Sequence, residues 1–307
     1  MNRSEFVFKA IDVLGYLPQN SEKFSGITSV KDIKYSNKGN GSLTSGDLYF
    51  KTDFIGDGKK HPVIVYIHGG GFIKGDKNYR VSISEYYASL GYYVFCIDHR
   101  MPPEAPFPEN IADCVDALNF LPTLSEKFPL DLDNIVLTGD SSGGYMCAYL
   151  AALKFNEGLS EKISCPEVRV NIKGLMLMCG IYDVDVLMSG KKMFGVIPQT
   201  ASMLLGFELK SDFSNLAEYK YAKYISPSEF VNENWCPSFI AWADDDIVCV
   251  GQGEPMAKRL EKACPYCETY HCKGMINNHC FHLMPKYNKY ARECLKASAD
   301  YLERLFS

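Results

Sequence analysis

Five short apolar runs, separated by stretches with a helical pattern, are the feature that most restricts how this chain can fold. Continuous apolarity is typical of strands that are buried on both faces of a parallel sheet covered by helices. Two earlier segments, residues 31–35 and 46–50, predict an antiparallel hairpin at the edge of that sheet. The five runs are Val63–Ile67, Tyr92–Ile97, Ile135–Leu137, Ile172–Met178 and Ser238–Ala243.

Amphipathic stretches between these runs predict the covering helices. Apolar residues between Phe107 and Leu121 keep one helical face, and another helix should begin near Ser142 and continue through Leu153. This alternation of strands and helices predicts a doubly wound, mostly parallel α/β fold. The chain should close with an amphipathic helix whose apolar side carries Leu295, Ala299, Leu302 and Phe306.

Two stretches interrupt the alternation, residues 1–30 and residues 182–230, and the second is rich in Met, Phe and Tyr. Open α/β sheets bind ligands at the carboxyl ends of their strands, so we expect these stretches to form a helical cap over that edge. The predicted core then comprises residues 31–181 and 231–307. A helical excursion packed on the flank of the sheet is the alternative for residues 182–230.

The composition is that of a globular protein, with 47% hydrophobic and 22% charged residues in 307. A net charge of −5 argues against nucleic-acid binding, which normally requires a basic surface. The N-terminus lacks the continuous apolar segment of a secretory signal, and no later stretch is long enough to span a bilayer. We therefore expect a cytoplasmic enzyme with no nucleic-acid or membrane partner.

Twelve cysteines are too few in a chain of this length to indicate a disulfide scaffold, and several lie in apolar runs. A free thiol in such a run behaves as a small hydrophobic side chain, so reduced cysteines are expected. The cluster of Cys264, Cys267 and Cys272 with nearby histidines could supply zinc ligands, but its spacing is irregular. We therefore expect no metal and no other cofactor.

The segment Gly139-Asp140-Ser141-Ser142-Gly143 follows an apolar run and fits the pattern G-x-S-x-G. A turn sharp enough to raise one side chain above a sheet forces the residues two positions to either side against each other, so both must be small. Ser141 is therefore the candidate nucleophile. Ser142 would begin the next helix and direct its backbone N–H toward the reaction centre.

A serine nucleophile needs a base to take its proton and preorganised donors to hold the oxyanion that forms. The segment His68-Gly69-Gly70-Gly71-Phe72 comes directly after the first apolar run. Consecutive glycines allow the backbone to approach a substrate carbonyl with its N–H groups exposed. A phosphate-binding loop is the alternative, but no lysine follows at the spacing of a P-loop.

Several aspartates are candidates for the acid of a catalytic triad. The run Ser238–Ala243 ends in Asp244, Asp245 and Asp246, and Asp183 follows the preceding strand. In doubly wound hydrolases the acid follows a strand that lies between the serine and the histidine in the chain. Both positions satisfy that order.

Two histidines near the end of the chain, His279 and His282, are candidates for the base. They lie before the last predicted helix, and their position after Ser141 excludes a trypsin-like protease, in which the serine comes last. Three further histidines lie in or beside strands and are expected to be structural: His61, His99 and His271.

Four motifs together resemble those of the hormone-sensitive lipase family of α/β-hydrolases, in that family's order. They are HGGGF at residues 68–72, the segment Asp98–Pro108, GDSSGG at residues 139–144 and His279-Cys-Phe281. The resemblance covers roughly residues 60–290 and implies the α/β-hydrolase fold with a capped serine esterase site. HRMPPE in the second motif departs from the common pattern, as does Ser142 where alanine is frequent, but neither change removes a catalytic group.

When the residues are matched to the family's motifs position by position, the resemblance implies a role for each site residue. Ser141 corresponds to the nucleophile, His279 to the base and Asp246 to the acid. The remaining matches are backbone donors or supports: the oxyanion hole would comprise Gly70, Gly71 and Ser142, and His68, Arg100 and Glu104 would support the site.

The reaction expected from such a site is acyl transfer to serine followed by hydrolysis. We expect a serine carboxylesterase acting on short-chain acyl esters of small molecules. A sugar O-acetyl esterase, a small-molecule deacetylase and, remotely, a non-catalytic receptor remain alternatives, because fold and triad do not set the substrate. The resemblance also allows a homodimer. Side chains expected to line the pocket are Phe72, Tyr145, Trp242, Phe194, Met203 and Phe207.

Overall fold

A single sheet with the strand order β1-β2-β4-β3-β5-β6-β7-β8 organises the computed structural model, which describes residues 3–41, 43–189, 196–244, 246–274 and 278–307. β1 pairs with β2 and β2 with β4 in antiparallel fashion, and every other pairing is parallel. The predicted mostly parallel α/β fold and its antiparallel edge are confirmed. The strands are β1 (Ile27–Lys34), β2 (Ser45–Lys51), β3 (His61–Ile67), β4 (Tyr93–Ile97), β5 (Leu130–Asp140), β6 (Gly174–Met178), β7 (Ser238–Ala243) and β8 (Cys267–Cys272).

Helices cover both faces of the sheet, which explains the continuous apolar runs within its central strands. Successive side chains of a strand point to opposite faces, so Val63 and Val65 of β3 pack in one core layer and Ile64 in the other. The first layer includes α3, α4 and α8, and the second includes α2 and α9. The helices are α1 (Arg3–Gln19), α2 (Val81–Ser89), α3 (Glu109–Ser125), α4 (Ser142–Phe155), α5 (Leu159–Lys162), α6 (Val184–Ser189), α7 (Val196–Leu205), α8 (Gly253–Ala263) and α9 (Lys289–Phe306).

The carboxyl ends of the parallel strands lie at one edge of the sheet. Ile67 at the end of β3 pairs with both Ile97 of β4 and Gly139 of β5. The loops that follow β3, β5, β7 and β8 therefore leave the sheet on the same side. Those loops carry the glycine-rich segment, Ser141, Asp246 and His279.

Helices from the two interrupting stretches meet beside this edge. The backbone N–H of Ser4 in α1 donates to Oε1 of Gln199 in α7 at 3.0 Å, and Ser4 Oγ donates to the Val196 carbonyl at 3.2 Å. The later part of the second stretch packs elsewhere, since the Tyr145 and Tyr149 hydroxyls of α4 donate to backbone carbonyls at residues 225 and 224. The described residues of this stretch, 182–189 and 196–230, thus divide into helices beside the carboxyl edge and a segment against α4.

Two global features bear on the expected cellular setting. No helix within the described ranges combines the length and the apolar character needed to cross a bilayer. All twelve cysteines are free thiols, and Cys264 and Cys267 are the two that are not fully buried.

Candidate active site

Ser141 occupies a tight turn between β5 and α4. Its backbone is left-handed, with φ 54° and ψ −122°, a conformation that costs on the order of 1–3 kcal/mol in a non-glycine residue. A Cβ at Gly139 would lie 2.6 Å from the Gly143 backbone, and one at Gly143 would lie 2.0 Å from the Ile67 carbonyl oxygen. The two glycines of G-x-S-x-G are therefore required by close backbone approach, as the pattern predicts.

The structure brings Ser141, His279 and Asp246 into one hydrogen-bonded series. Nε2 of His279 lies 2.8 Å from Ser141 Oγ, and Nδ1 lies 2.9 Å from Asp246 Oδ2. A carboxylate at Nδ1 favours the tautomer with its proton on Nδ1, which leaves Nε2 free to accept the serine proton. This arrangement can convert the hydroxyl into a nucleophile.

Asp246 is buried and is fixed on both of its oxygens. Its Oδ1 accepts the backbone N–H groups of Val248 at 2.9 Å and Cys249 at 2.7 Å, while Oδ2 faces His279. Burial by itself would raise the pKa of the Asp246 carboxyl, but the charge of His279 and these hydrogen bonds outweigh it and hold the pKa below its usual value. The carboxylate is therefore ionised at neutral pH.

The glycine-rich loop lies directly against Ser141. A Cβ at Gly69 would be 2.9 Å from Cβ of Ser141. Gly70 has φ 148° and Gly71 has φ 60°, and a Cβ at Gly70 would be 1.7 Å from the Lys74 carbonyl oxygen. Among the described residues, the N–H groups of Gly70, Gly71 and Ser142 have no protein acceptor. These N–H groups remain available to a ligand.

His68 holds the start of this loop. Its Nδ1 lies 2.9 Å from the Gly69 carbonyl oxygen, and its Nε2 lies 3.5 Å from Asp98. Burial would lower the pKa of His68, but the hydrogen bond and charge of Asp98 reverse the direction and raise it. Both ring nitrogens of His68 thus face Gly69 and Asp98 rather than Ser141.

The other candidates for acid and base lie apart from Ser141. Asp244 pairs with His271 at 2.5 Å, and Asp183 accepts the N–H of Val186 at the start of α6. His282 is buried with neither ring nitrogen hydrogen-bonded in the described part of the chain, and burial lowers its pKa to about 4. Asp245 lies outside the described residues.

A buried ion pair, which the sequence did not indicate, supports the turn from below. Nε and Nη2 of Arg80 contact the two carboxylate oxygens of Asp140 at 2.6 Å each, and the Tyr66 hydroxyl donates to Asp140 at 2.9 Å. Burial opposes ionisation, yet the Arg80 charge dominates and keeps the pKa of Asp140 well below its usual value. Arg80 also donates to Gln19 Oε1 of α1 at 3.0 Å. Asp140, the residue before Ser141, is thereby connected through Arg80 to the N-terminal helix.

Two cavities adjoin Ser141 on different sides. One is almost entirely apolar, has an empty volume of about 570 Å³ and lies among α1, α6 and α7. The other, of about 790 Å³, is bordered by His279, Asn278 and Gln19. Gly71 and Val248 border both cavities, so the two spaces meet at Ser141. The apolar cavity is lined in part by Phe8, Phe72, Leu187, Met188, Thr200 and Leu204.

The structure corrects part of the expected pocket. Phe72 lines the apolar cavity, but Tyr145 and Trp242 border neither cavity. Tyr145 is buried behind Phe72, with the two rings 5.1 Å apart. Trp242 stacks on His271 at 4.7 Å and packs against Gly253 of α8.

The cap residues of the expected pocket are also revised. Met203 packs beside the cluster of Phe8, Ile73 and Val196, and Phe207 packs against Tyr219; neither borders the two cavities. Phe194 lies outside the described residues. Phe8 and Thr200 were missed, because their place at the cavity depends on how α1 and α7 dock, which no local pattern reports.

Potential metal ligands in the described ranges converge at one place, formed by Asp246, Cys249 and His279. That group coincides with the hydrogen-bonded series and does not include the Cys264 cluster.

A sharp serine turn after a central strand, facing a histidine and an acid from later loops, defines an α/β-hydrolase on this fold. The BD-FAE family profile matches residues 47–260, more than half of the chain, and the chain belongs to that family. The α/β-hydrolase relationship expected from the motifs is confirmed.

Solved structures share the fold over nearly the whole chain. Inhibited esterase B from Lactobacillus rhamnosis superposes with a TM-score of 0.83 at 19% identity, over 98% of this chain and 96% of that one. A bacterial heroin esterase superposes with a TM-score of 0.73 at 18% identity, over 99% of this chain and 92% of that one. Among curated sequences, the chloroplastic tuliposide A-converting enzyme 2 of Tulipa gesneriana is 33% identical over 117 residues. That match covers 34% of this chain and 30% of the tulip enzyme.

Proposed function

We propose that this protein is a serine carboxylesterase that hydrolyses short-chain acyl esters of small molecules. The observation that carries the proposal is the series Ser141–His279–Asp246, with contacts of 2.8 and 2.9 Å. In this role Ser141 attacks the ester carbonyl, His279 takes its proton, and Asp246 stabilises the imidazolium that forms. The oxyanion is held by the N–H groups of Gly70, Gly71 and Ser142.

The two cavities suggest how an ester would lie. His279 must protonate the leaving alcohol, so the alcohol occupies the cavity that His279 borders. The acyl group then enters the apolar cavity, which His279 does not border. Helices α1, α6 and α7 surround that cavity, and we propose that they act as a cap that limits acyl length. Water reaching the acyl-enzyme from the His279 side completes the hydrolysis.

Esterase activity on a series of p-nitrophenyl esters tests the proposal. Acetate to butyrate should be hydrolysed faster than octanoate and longer chains, and Ser141→Ala should abolish turnover. Rapid release of acetate from acetylated sugars, together with poor turnover of the p-nitrophenyl esters, would favour a sugar O-acetyl esterase instead. A folded protein that binds these esters without turning them over would contradict catalysis. Gel filtration with light scattering tests the homodimer, which stays a prediction.

A further inference from the structure

One aromatic side chain, that of Phe8 in α1, lies where the two cavities beside Ser141 meet. Four residues line both cavities, and they are Phe8, Gly71, Ser141 and Val248. A Cβ built on Gly71 would lie 2.3 Å from both Cε1 and Cζ of Phe8, so the edge of the ring packs directly against this glycine. Gly71 is one of the residues whose N–H group would hold the oxyanion. Phe8 is therefore the largest side chain at the junction of the cavities, beside the position of the reacting carbonyl.

Hydrogen bonds near both ends of α1 hold this helix, and with it Phe8, in position. Near the start of the helix, the backbone N–H of Ser4 donates to Oε1 of Gln199 in α7 at 3.0 Å. At the end of the helix, Gln19 Oε1 accepts from the Arg80 guanidinium at 3.0 Å. The helix is thus attached to α7 on one side of Phe8 and to the support of the serine turn on the other.

Apolar packing fixes the ring as well. Phe8 is 9% exposed and belongs to a buried cluster with Ile73 and Val196. A ring in close-packed surroundings cannot turn aside without displacing its neighbours. The edge of Phe8 that packs against Gly71 therefore forms a fixed wall of the junction.

The reaction places one part of the acyl group beside this wall. For attack, the ester carbonyl carbon lies at Ser141 Oγ and its oxygen lies at the N–H groups of the glycine-rich loop. The acyl α-carbon is one bond from the carbonyl carbon, about 1.5 Å, so it occupies the junction next to Phe8. The carbons that follow lie deeper in the apolar cavity.

We propose that Phe8 is a specificity-determining residue that restricts the enzyme to esters whose acyl group is unbranched at the α-carbon. The inference rests on the proposed esterase function and on the acyl group entering the apolar cavity. An unbranched chain presents only hydrogen atoms of its α-carbon to the edge of the ring. A methyl branch on the α-carbon overlaps the ring and keeps the carbonyl carbon away from Ser141 Oγ, whereas a branch on the β-carbon lies beyond the junction.

Isomeric p-nitrophenyl esters test this selection, because they differ in the position of the branch and not in the number of carbons. Butanoate is paired with 2-methylpropanoate, and pentanoate with 2,2-dimethylpropanoate and with 3-methylbutanoate. For each pair the ratio of kcat/KM values, linear over branched, is compared between the wild type and Phe8→Ala, which cancels the intrinsic reactivity of each ester. Phe8→Ala should lower the ratio for the two α-branched esters by about tenfold, the effect of one methyl group in a tight pocket. The ratio for 3-methylbutanoate should change by less than about twofold.

The matched control is Phe6→Ala, which removes the same side chain from the same helix at a position that is 60% exposed. It should leave every ratio at the wild-type value. Phe8→Leu is the second variant, because it keeps an apolar side chain in the cluster with Ile73 and Val196 but removes the flat ring. Its ratios for the α-branched esters should shift in the same direction as those of Phe8→Ala.

Two results would overturn the inference. One is that the ratios for the α-branched esters stay within about twofold of the wild type in both Phe8 variants. The other is an equal gain for 3-methylbutanoate and 2,2-dimethylpropanoate, which would mean that the whole cavity has loosened and that the α-carbon is not the point of selection. If the wild type hydrolyses neither acetate nor pentanoate, the proposed function itself fails.

Discussion

At the scale of single residues, the catalytic assignment depends on which of two neighbouring aspartates faces His279. Asp246 contacts its Nδ1, whereas Asp244 is exposed and pairs with His271. Removing the negative charge at Nδ1 destabilises the tautomer and the imidazolium that the reaction needs. Asp246→Asn should therefore lower kcat for p-nitrophenyl acetate by roughly 10³–10⁴-fold.

Asp244→Asn serves as the control for that substitution, since it makes the same change two residues earlier in the loop. Its kcat should stay within a few-fold of the wild type, and circular dichroism should show both variants folded. A large loss in Asp244→Asn with activity retained in Asp246→Asn would reverse the assignment of the acid.

The glycine-rich loop gives a second prediction at this scale. A Cβ at Gly70 would lie 1.7 Å from the backbone of Lys74, so Gly70→Ala must move the loop that would hold the oxyanion. We expect kcat to fall by about 10²–10³-fold, the effect of losing one oxyanion donor. Gly58→Ala is the control: Gly58 also has a positive φ, but a Cβ there meets no atom within 4 Å. An equal loss of kcat in both variants would show that the loop has no special role.

Single-residue features were predictable from sequence where the local backbone geometry allows only one kind of residue. The small residues around Ser141 follow from backbone contact, and the structure shows that contact at Gly139 and Gly143. The position of Trp242 was not predictable in this way. An apolar residue at the end of a strand can face either side of the sheet, and the choice depends on register with neighbouring strands.

At the scale of elements, the turn that presents Ser141 is joined to the core through the buried Arg80–Asp140 pair. Replacing only Arg80 leaves the Asp140 charge buried without compensation, which typically costs about 3–5 kcal/mol. Arg80→Met should therefore lower the free energy of unfolding, measured with urea, by an amount of this order. Adding Asp140→Asn to it should recover part of the loss.

An exposed ion pair provides the comparison for that prediction. Arg304 contacts Glu268 at 2.6 Å on the surface, where solvent screens the charges. Arg304→Met should leave the urea midpoint nearly unchanged. If Arg80→Met were equally mild, the buried pair would not be a support of the serine turn.

Core elements were predictable from sequence, but the paths of the two interrupting stretches were not. Continuous apolar runs such as Val63–Ile67 correspond to β3 and its neighbours because burial on both faces leaves few alternatives. Residues 182–230 have no comparable periodicity, and their path depends on contacts with α1 and α4 that lie far apart in the chain. Thr200 and Phe8 became site residues only through that docking.

At the scale of the whole molecule, buried ionisable groups set how stability depends on pH. Burial lowers the pKa of His282 to about 4 and, together with the neighbouring charge of His68, that of His99 to about 4. An unfolded histidine has a pKa of about 6.5, so between pH 6.5 and 4 the unfolded chain binds protons that the folded chain does not. The contribution of His282 and His99 to stability should therefore be full above pH 6.5 and fall as the pH drops toward 4. His68, whose pKa is raised, acts in a different window: its contribution is full below pH 6.5 and is lost as the pH rises through its folded pKa.

Replacing His282 separates its contribution from that of the acidic residues. His282→Leu keeps an apolar side chain among the buried neighbours and removes the titrating group, so the fall in unfolding free energy between pH 6.5 and 4 should shrink by on the order of 3 kcal/mol. Below about pH 3.8 the unfolding free energies of the variant and the wild type should fall with similar slopes. In that range the loss of stability comes from carboxylates with lowered pKa values, such as Asp140. Urea titrations at about pH 7.5, 6, 5 and 4 measure the first window, and titrations at about pH 3.5 and 3 measure the second. If the unfolding free energies of the variant and the wild type ran parallel from pH 7.5 to 4, His282 would take up its proton in the folded protein as readily as in the unfolded chain.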